Sequence, residues 1–144
     1  MDKPTTQSAA FQARVQGLWQ AIVTDAPAPG MPFFFPLSAY VQVKAISDPT
    51  GDWHTRLVAN YGVDIDALHA KLGAGAARAQ LVGIEVPDAA QWILPGAESN
   101  KGSYWRVYGT VLRYSLDGVV STFPVTSMIS WRGEWYVVHL GAIR

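Results

Sequence analysis

The sequence predicts an α+β domain in which three N-terminal helices lie across one face of a curved antiparallel sheet, and three observations predict it. Apolar residues recur with a helical period through the first half of the chain. The period switches to two near Gln80. The pairs Asp117-Gly118 and Arg132-Gly133 interrupt long runs of β-formers as two-residue hairpin turns do. Helices followed by strands, without alternation, give an α+β fold rather than a parallel βαβ one. At 144 residues the chain is long enough for one core and is read as a single domain, with residues 1–7 expected as a disordered tail.

From Ser8, a plausible cap, Phe11, Val15, Leu18, Trp19, Ile22 and Val23 form the stripe of an amphipathic helix. Ala26 to Pro36, APAPGMPFFFP, ends it, and Phe33 to Phe35 are too apolar to hang free. A second, short helix carries Leu37, Tyr40, Val41 and Lys44 and stops before Asp48-Pro49. A third is expected to start at an Asp52 N-cap, with Trp53, Leu57, Val58, Tyr61, Ile65, Leu68 and Leu72 on one side and Gly73 as its stop. After a GAGAA linker, strands are expected at 80–86, 91–94, 104–116, 119–131 and 134–140.

Composition limits the function classes. Eleven basic and eleven acidic residues leave no net charge, so the chain has no basic field for a phosphate backbone, and nucleic acid is not an expected partner. The absence of cysteine removes disulfides, thiolate metal sites and a thiol nucleophile. No apolar run reaches the roughly 18 residues that cross a bilayer, and the first ten residues lack the apolar core of a signal peptide. No membrane span is expected. With 15% charged and 12% aromatic residues, the chain keeps apolar surface for a ligand or a second copy.

Two-residue turns fix the facing of the last three strands. Arg106 should oppose Ile129, and Ile129 should oppose Tyr136. One face then collects Tyr104, Arg106, Tyr108, Leu112, Tyr114, Phe123, Val125, Ser127, Ile129, Trp131, Tyr136, Val138 and Leu140; it is the more aromatic and hydroxyl-rich, and is assigned to the helices and a pocket. The other collects Trp105, Val107, Val111, Met128, Trp135, Val137 and His139. Its apolar cluster calls for a cover, for which a second copy of the sheet is the simplest candidate, with Trp105, Met128, Trp135, Val137 and His139 at a homodimer interface.

The element order, with the closing W-x-G-x-W-Y turn (Trp131 to Tyr136), resembles the cone-shaped nuclear-transport-factor-2-like, or cystatin-like, superfamily. The segments DWHTRLVANY and SWRGEWYVVHL are similar to those of a group of uncharacterised bacterial proteins, some of them exported, so an exported or envelope location is expected ahead of a cytoplasmic one. The resemblance implies a pocket between sheet and helices, pairing through the sheet, and functions from ligand binding to isomerase or dehydratase chemistry.

Within that frame the expected site is an apolar, tyrosine-lined pocket built from Trp19, Tyr40, Tyr61, Tyr104, Tyr108 and Tyr136. Arg106 is either its polar anchor or one half of an ion pair with Glu98 or Glu134. His139 is read as architecture, His54 as solvated. Asp64, Asp66 and His69 put only the last two on one helical side, too few for a metal. No Gly-x-Ser-x-Gly elbow or complete phosphate loop is present. A non-enzymatic domain that binds a small molecule or peptide, without cofactor, is expected. A cofactor-independent isomerase or dehydratase and an envelope interaction module are the alternatives.

Overall fold

Helix α1 (Ala9–Thr24) opens at Ser8, whose hydroxyl accepts the Phe11 amide at 3.1 Å, and ends at Asp25, where a φ of 53° turns the chain away. The structure is a computed structural model and describes residues 2–144; of the tail expected over residues 1–7, Met1 lies outside the described residues. The proline-rich segment folds as a 3-10 turn, Ala28–Phe33. It continues as an edge along the last strand, with the Phe35 amide donating to the Val137 carbonyl at 2.9 Å. Phe33, Phe34 and Phe35 are all buried.

Helix α2 (Leu37–Val43) is followed by α3 (Pro49–Asp52), a π-helical turn (Trp53–Val58) and α4 (Ala59–Leu72), which run on without a break. The expected N-cap at Asp52 is corrected to Asp48, whose carboxylate accepts the Gly51 amide at 3.0 Å. Pro49 is the reason. Its fixed φ and missing N–H suit the first helical position, so Asp48-Pro49 begins a helix as well as it ends one. Asp52 is thereby released from capping and free to face a neighbour. A second 3-10 turn, Gly73–Arg78, stands where a linker was expected.

Strands β1 (Gln80–Glu85), β2 (Gln91–Ile93), β3 (Tyr104–Leu116), β4 (Val119–Trp131) and β5 (Glu134–His139) make one open antiparallel sheet. Its order is β1-β3-β4-β5, with β2 on the same edge of β3 as β1. Both hairpin turns have two central residues in the left-handed region, Asp117 and Gly118 at φ 50° and 81°, Arg132 and Gly133 at 51° and 79°. This backbone follows the twist of the flanking strands and fixes the register. Arg106 opposes Ile129, and Ile129 opposes Tyr136, as the two-residue turns require.

Helix α1 packs on the expected face: the Trp19 ring lies 5.4 Å from Tyr114, and Arg14 sits over Tyr136 while pairing with Glu134 at 2.7 Å. Two other expectations are corrected. Near the end of β5 the register shifts, so that Met128 opposes Val137 but Ser127 opposes His139, with Val138 as the extra residue. Opposite this bulge Gly109 adopts φ 83°, and Thr126 turns its amide to the Leu140 carbonyl. The bulge moves His139 onto the face of Ser127 and Arg106.

The second correction concerns the other face. Met128, Trp135, Val107 and Val137 are buried, at most 2% exposed, within this one chain. Residues 2–7 lie along the sheet beside Trp105 and Trp135. Pro4 is buried beside Trp105 and Trp92 on one side and Trp135, Pro87 and Ala90 on the other, and Lys3 donates to the Asp88 carbonyl at 2.9 Å. The cluster expected to need a second copy is thus largely buried within one chain, with the arm beside its two tryptophans. No helix among the described residues is long and apolar enough to cross a membrane.

Candidate functional site

Two adjoining cavities, of about 650 and 260 Å³, share Lys44 and Glu98 in their walls; the larger opens between α2, the stretch from Ile46 to Arg56 and the loop at Glu98 and Ser99, the smaller over β3, β4 and the end of β5. The first wall comes from α2 and α3. Tyr40 on α2 and Lys44, the extended residue that ends it, both face this cavity, and Asp52 and Arg56 repeat the four-residue spacing on the next, helical segment. Arg56 holds the Asp52 carboxylate with Nε and Nη2, each at 2.7 Å, and the Tyr40 hydroxyl donates to the same carboxylate. The Arg56 hydrogen bonds keep Asp52 below the usual carboxylate range. Burial and the Asp52 bond push the Tyr40 hydroxyl well up, so it remains a phenol. The π-helical turn carrying Arg56 is of the kind that often marks functional sites.

The second wall is the loop before β3. Its buried Asn100 fixes the backbone, donating to the Leu94 and Gly102 carbonyls and accepting the Glu98 amide at 2.9 Å. The loop is tied to α2 by the amide of Lys101, 2.7 Å from the Val43 carbonyl. This support presents Glu98 to three partners. Its carboxylate accepts from Tyr104 Oη at 2.7 Å and pairs with Arg106, and its carbonyl accepts from Lys44 Nζ at 3.1 Å. Arg106 also donates to Gln91 and stacks on the Tyr108 ring at 4.4 Å.

Lys44 differs from every other cation at the site. Its ammonium donates to Tyr104 Oη at 3.0 Å and to the Glu98 carbonyl, both uncharged acceptors. Among the described residues, no carboxylate lies within 4.0 Å of it, whereas Arg56 and Arg106 are each paired. Burial lowers the Lys44 pKa, and the neighbouring Arg56 lowers it further, against the opposing pull of Asp52.

His139 lines the smaller cavity with Lys44, Glu98, Tyr104, Arg106, Tyr108 and Ser127, not the outer face where alternation alone would put it. Burial is the main cause lowering its pKa, followed by Arg56; Lys44 and Arg144 act in the same direction and Asp64 opposes them. The imidazole is therefore neutral at pH 7.

Of the residues expected to line a pocket, Tyr40, Tyr104, Tyr108 and Arg106 come together here. Trp19 and Tyr61 belong to the core, Trp19 against Tyr114 and Phe123, Tyr61 against Phe34 with its hydroxyl donating to the Gly30 carbonyl at 2.8 Å. Tyr136 is taken up by Arg14 and Phe35. The expected apolar lining is replaced by charged and hydroxyl-bearing side chains, because the aromatic rings of α1 and residues 33–35 fill the interior. Lys44, Asp52 and Arg56 are members that sequence reasoning missed; the paired i, i+4 spacings Tyr40/Lys44 and Asp52/Arg56 were the available signal. Asp64 accepts from Gly141 and Arg144, and His69 Nδ1 bonds with the Ile22 carbonyl at 2.9 Å. No cluster of three metal-ligating side chains occurs among the described residues.

Comparison with protein-family models, with curated proteins and with solved structures returned no match.

Proposed function

We propose that this chain is a non-enzymatic ligand-binding domain of the nuclear-transport-factor-2-like type, whose groove holds a small molecule or peptide segment through an anionic group. The order of helices and sheet supports the fold-family part of this reading. The ligand part rests on one observation: Lys44, half-buried where two cavities meet, has no carboxylate partner in the fold. A half-buried ammonium without a counter-charge favours an anion brought from outside. Arg106 is the supporting cation rather than the anchor, since Glu98 already neutralises it. A dimer built on Trp105, Met128, Trp135 and Val137 would first have to displace the N-terminal arm, so pairing through that face is not part of the proposal.

Titration of the labelled protein with glycolate, followed by amide and side-chain NMR, tests it. Saturable shifts are expected at Lys44, Glu98, Ser99 and Tyr104, with no response to the neutral amide of the same acid. Lys44→Met should weaken binding by roughly tenfold or more, as loss of a charge-assisted hydrogen bond costs about 1.5–3 kcal/mol. Equal responses to acid and amide would sink the reading.

A second reading is supported by the bulge that brings His139 into the groove. A neutral imidazole in a cavity that also holds Glu98 supplies the base that an isomerase or dehydratase requires. Exchange of the α-proton of a bound carbonyl compound in heavy water, lost in His139→Ala, would favour it over simple binding.

A further inference from the structure

The chain has four lysines, and three of them, Lys3, Lys71 and Lys101, are exposed. The fourth, Lys44, differs in every respect that governs amine reactivity. It is half-buried, lies in the walls of both cavities, and is hydrogen-bonded by groups that carry no charge. Of the ammonium's three N–H groups, two are used within the fold. Its partner Tyr104 is bonded on both sides: the hydroxyl accepts from Lys44 at 3.0 Å and donates to Glu98 Oε1 at 2.7 Å. Burial pushes the Tyr104 pKa up to about 12, so the phenol keeps its proton and can pass one along without ionising. Desolvation and a neighbouring guanidinium are the conditions that turn a lysine into a nucleophile toward carbonyl groups.

We infer that Lys44 captures a small aldehyde or keto acid as an imine, with Tyr104 relaying the protons. The inference rests on the proposed anion-binding groove: the uncompensated Lys44 ammonium draws in a substrate carrying a carboxylate before it gives up its proton, and Arg56 and Arg106, each already paired, line the two cavities on either side of it. In the first step the ammonium gives one proton to the Tyr104–Glu98 pair. The free amine then attacks the carbonyl carbon; a C–N bond forms and the carbonyl electron pair moves to oxygen, which takes the proton that the now cationic nitrogen gives up, leaving a neutral carbinolamine. In the second step the nitrogen lone pair forms the C=N bond as the C–O bond breaks, and the hydroxyl leaves as water with a proton returned through Tyr104. Amine and carbonyl go in, imine and water come out, and no oxidant or reductant takes part.

Glyoxylate is a suitable probe, with cyanoborohydride added only to reduce the imine to a stable secondary amine, and peptide mass spectrometry to place the carboxymethyl group. Lys44 is expected to be labelled ahead of the three exposed lysines, which serve as internal controls in the same tube. Tyr104→Phe, checked for folding by circular dichroism, should slow labelling of Lys44 by roughly 10²-fold, the low end of positioned acid–base catalysis, and leave the other three unchanged. Even labelling of all four lysines would overturn the inference. Glycolate, which has the carboxylate but no carbonyl, separates the two failures: if it still shifts the resonances around Lys44, the groove stands and only the imine falls; if it does not, both fall.

Discussion

The two faces of the last three strands are built from the same alternating sequence and end in opposite states. On one, Val107, Met128 and Trp135 are buried, residues 2–7 and 86–92 lie beside Trp105 and Trp135, and Ser130 Oγ accepts the Trp105 amide at 2.9 Å while the buried Trp105 indole N–H has no partner in the chain. On the other, α1 covers Tyr114 and Phe123 at the far end and reaches Tyr136 on β5 through Arg14, and the stretch from Tyr104 to Tyr108, with Ile129 beside it, lines an open cavity with charged side chains. The lesson is that an apolar face can be largely buried within one chain. A face bearing Arg106 and Tyr104 stays accessible because each of its charges needs a placed partner.

That contrast can be broken most severely on the closed side. Trp135→Ala removes the largest fully buried side chain and should cost about 3–5 kcal/mol in denaturant unfolding. A loss below about 1 kcal/mol would mean that this face is not buried within the chain. On the open side, Glu98→Gln should cost less, about 1–3 kcal/mol, because it strands a partly solvated Arg106 rather than emptying a core. The double variant Glu98→Gln/Arg106→Gln should recover part of that loss in a double-mutant cycle; purely additive losses would show the pair to be incidental.

The smallest effect is one of pH. The folded-state pKa of His139 is depressed, so below its ordinary value of about 6.5 the unfolded chain binds the proton more readily than the folded one. Stability from this group is full above that value and is lost as pH falls through it toward the lower folded pKa. His139→Asn should flatten the stability profile between about pH 7 and 5. An unchanged slope would put the imidazole in bulk water and detach it from the groove.

Much of the fold was legible. The β3 and β4 limits and the pairing of Arg106 with Ile129 follow from Asp117-Gly118, a turn signal strong enough to set register from Leu116↔Val119 back to Arg106↔Ile129. Less of the site was legible. Asp52 read as a helix cap because Asp followed by an apolar stripe is the local signature, and the Pro49 one turn earlier outweighed it. His139 read as outward because strict alternation has no term for a bulge, and nothing between Tyr136 and Leu140 announces one. Lys44 carried no signal beyond its spacing from Tyr40, since its significance lies in carboxylates that are absent from its surroundings.

The sequence by itself determined that helices precede a meander, where the hairpins turn, and which rings point toward α1, because helical period, two-residue turns and strand parity act over a few neighbouring residues. Only the tertiary structure decided that the N-terminal arm lies beside the two tryptophans, that Glu98 goes to Arg106, and that Lys44 is left without a counter-charge. Those outcomes join groups tens of residues apart, and burial and ion pairing at such separations are set by how whole elements pack rather than by any local pattern.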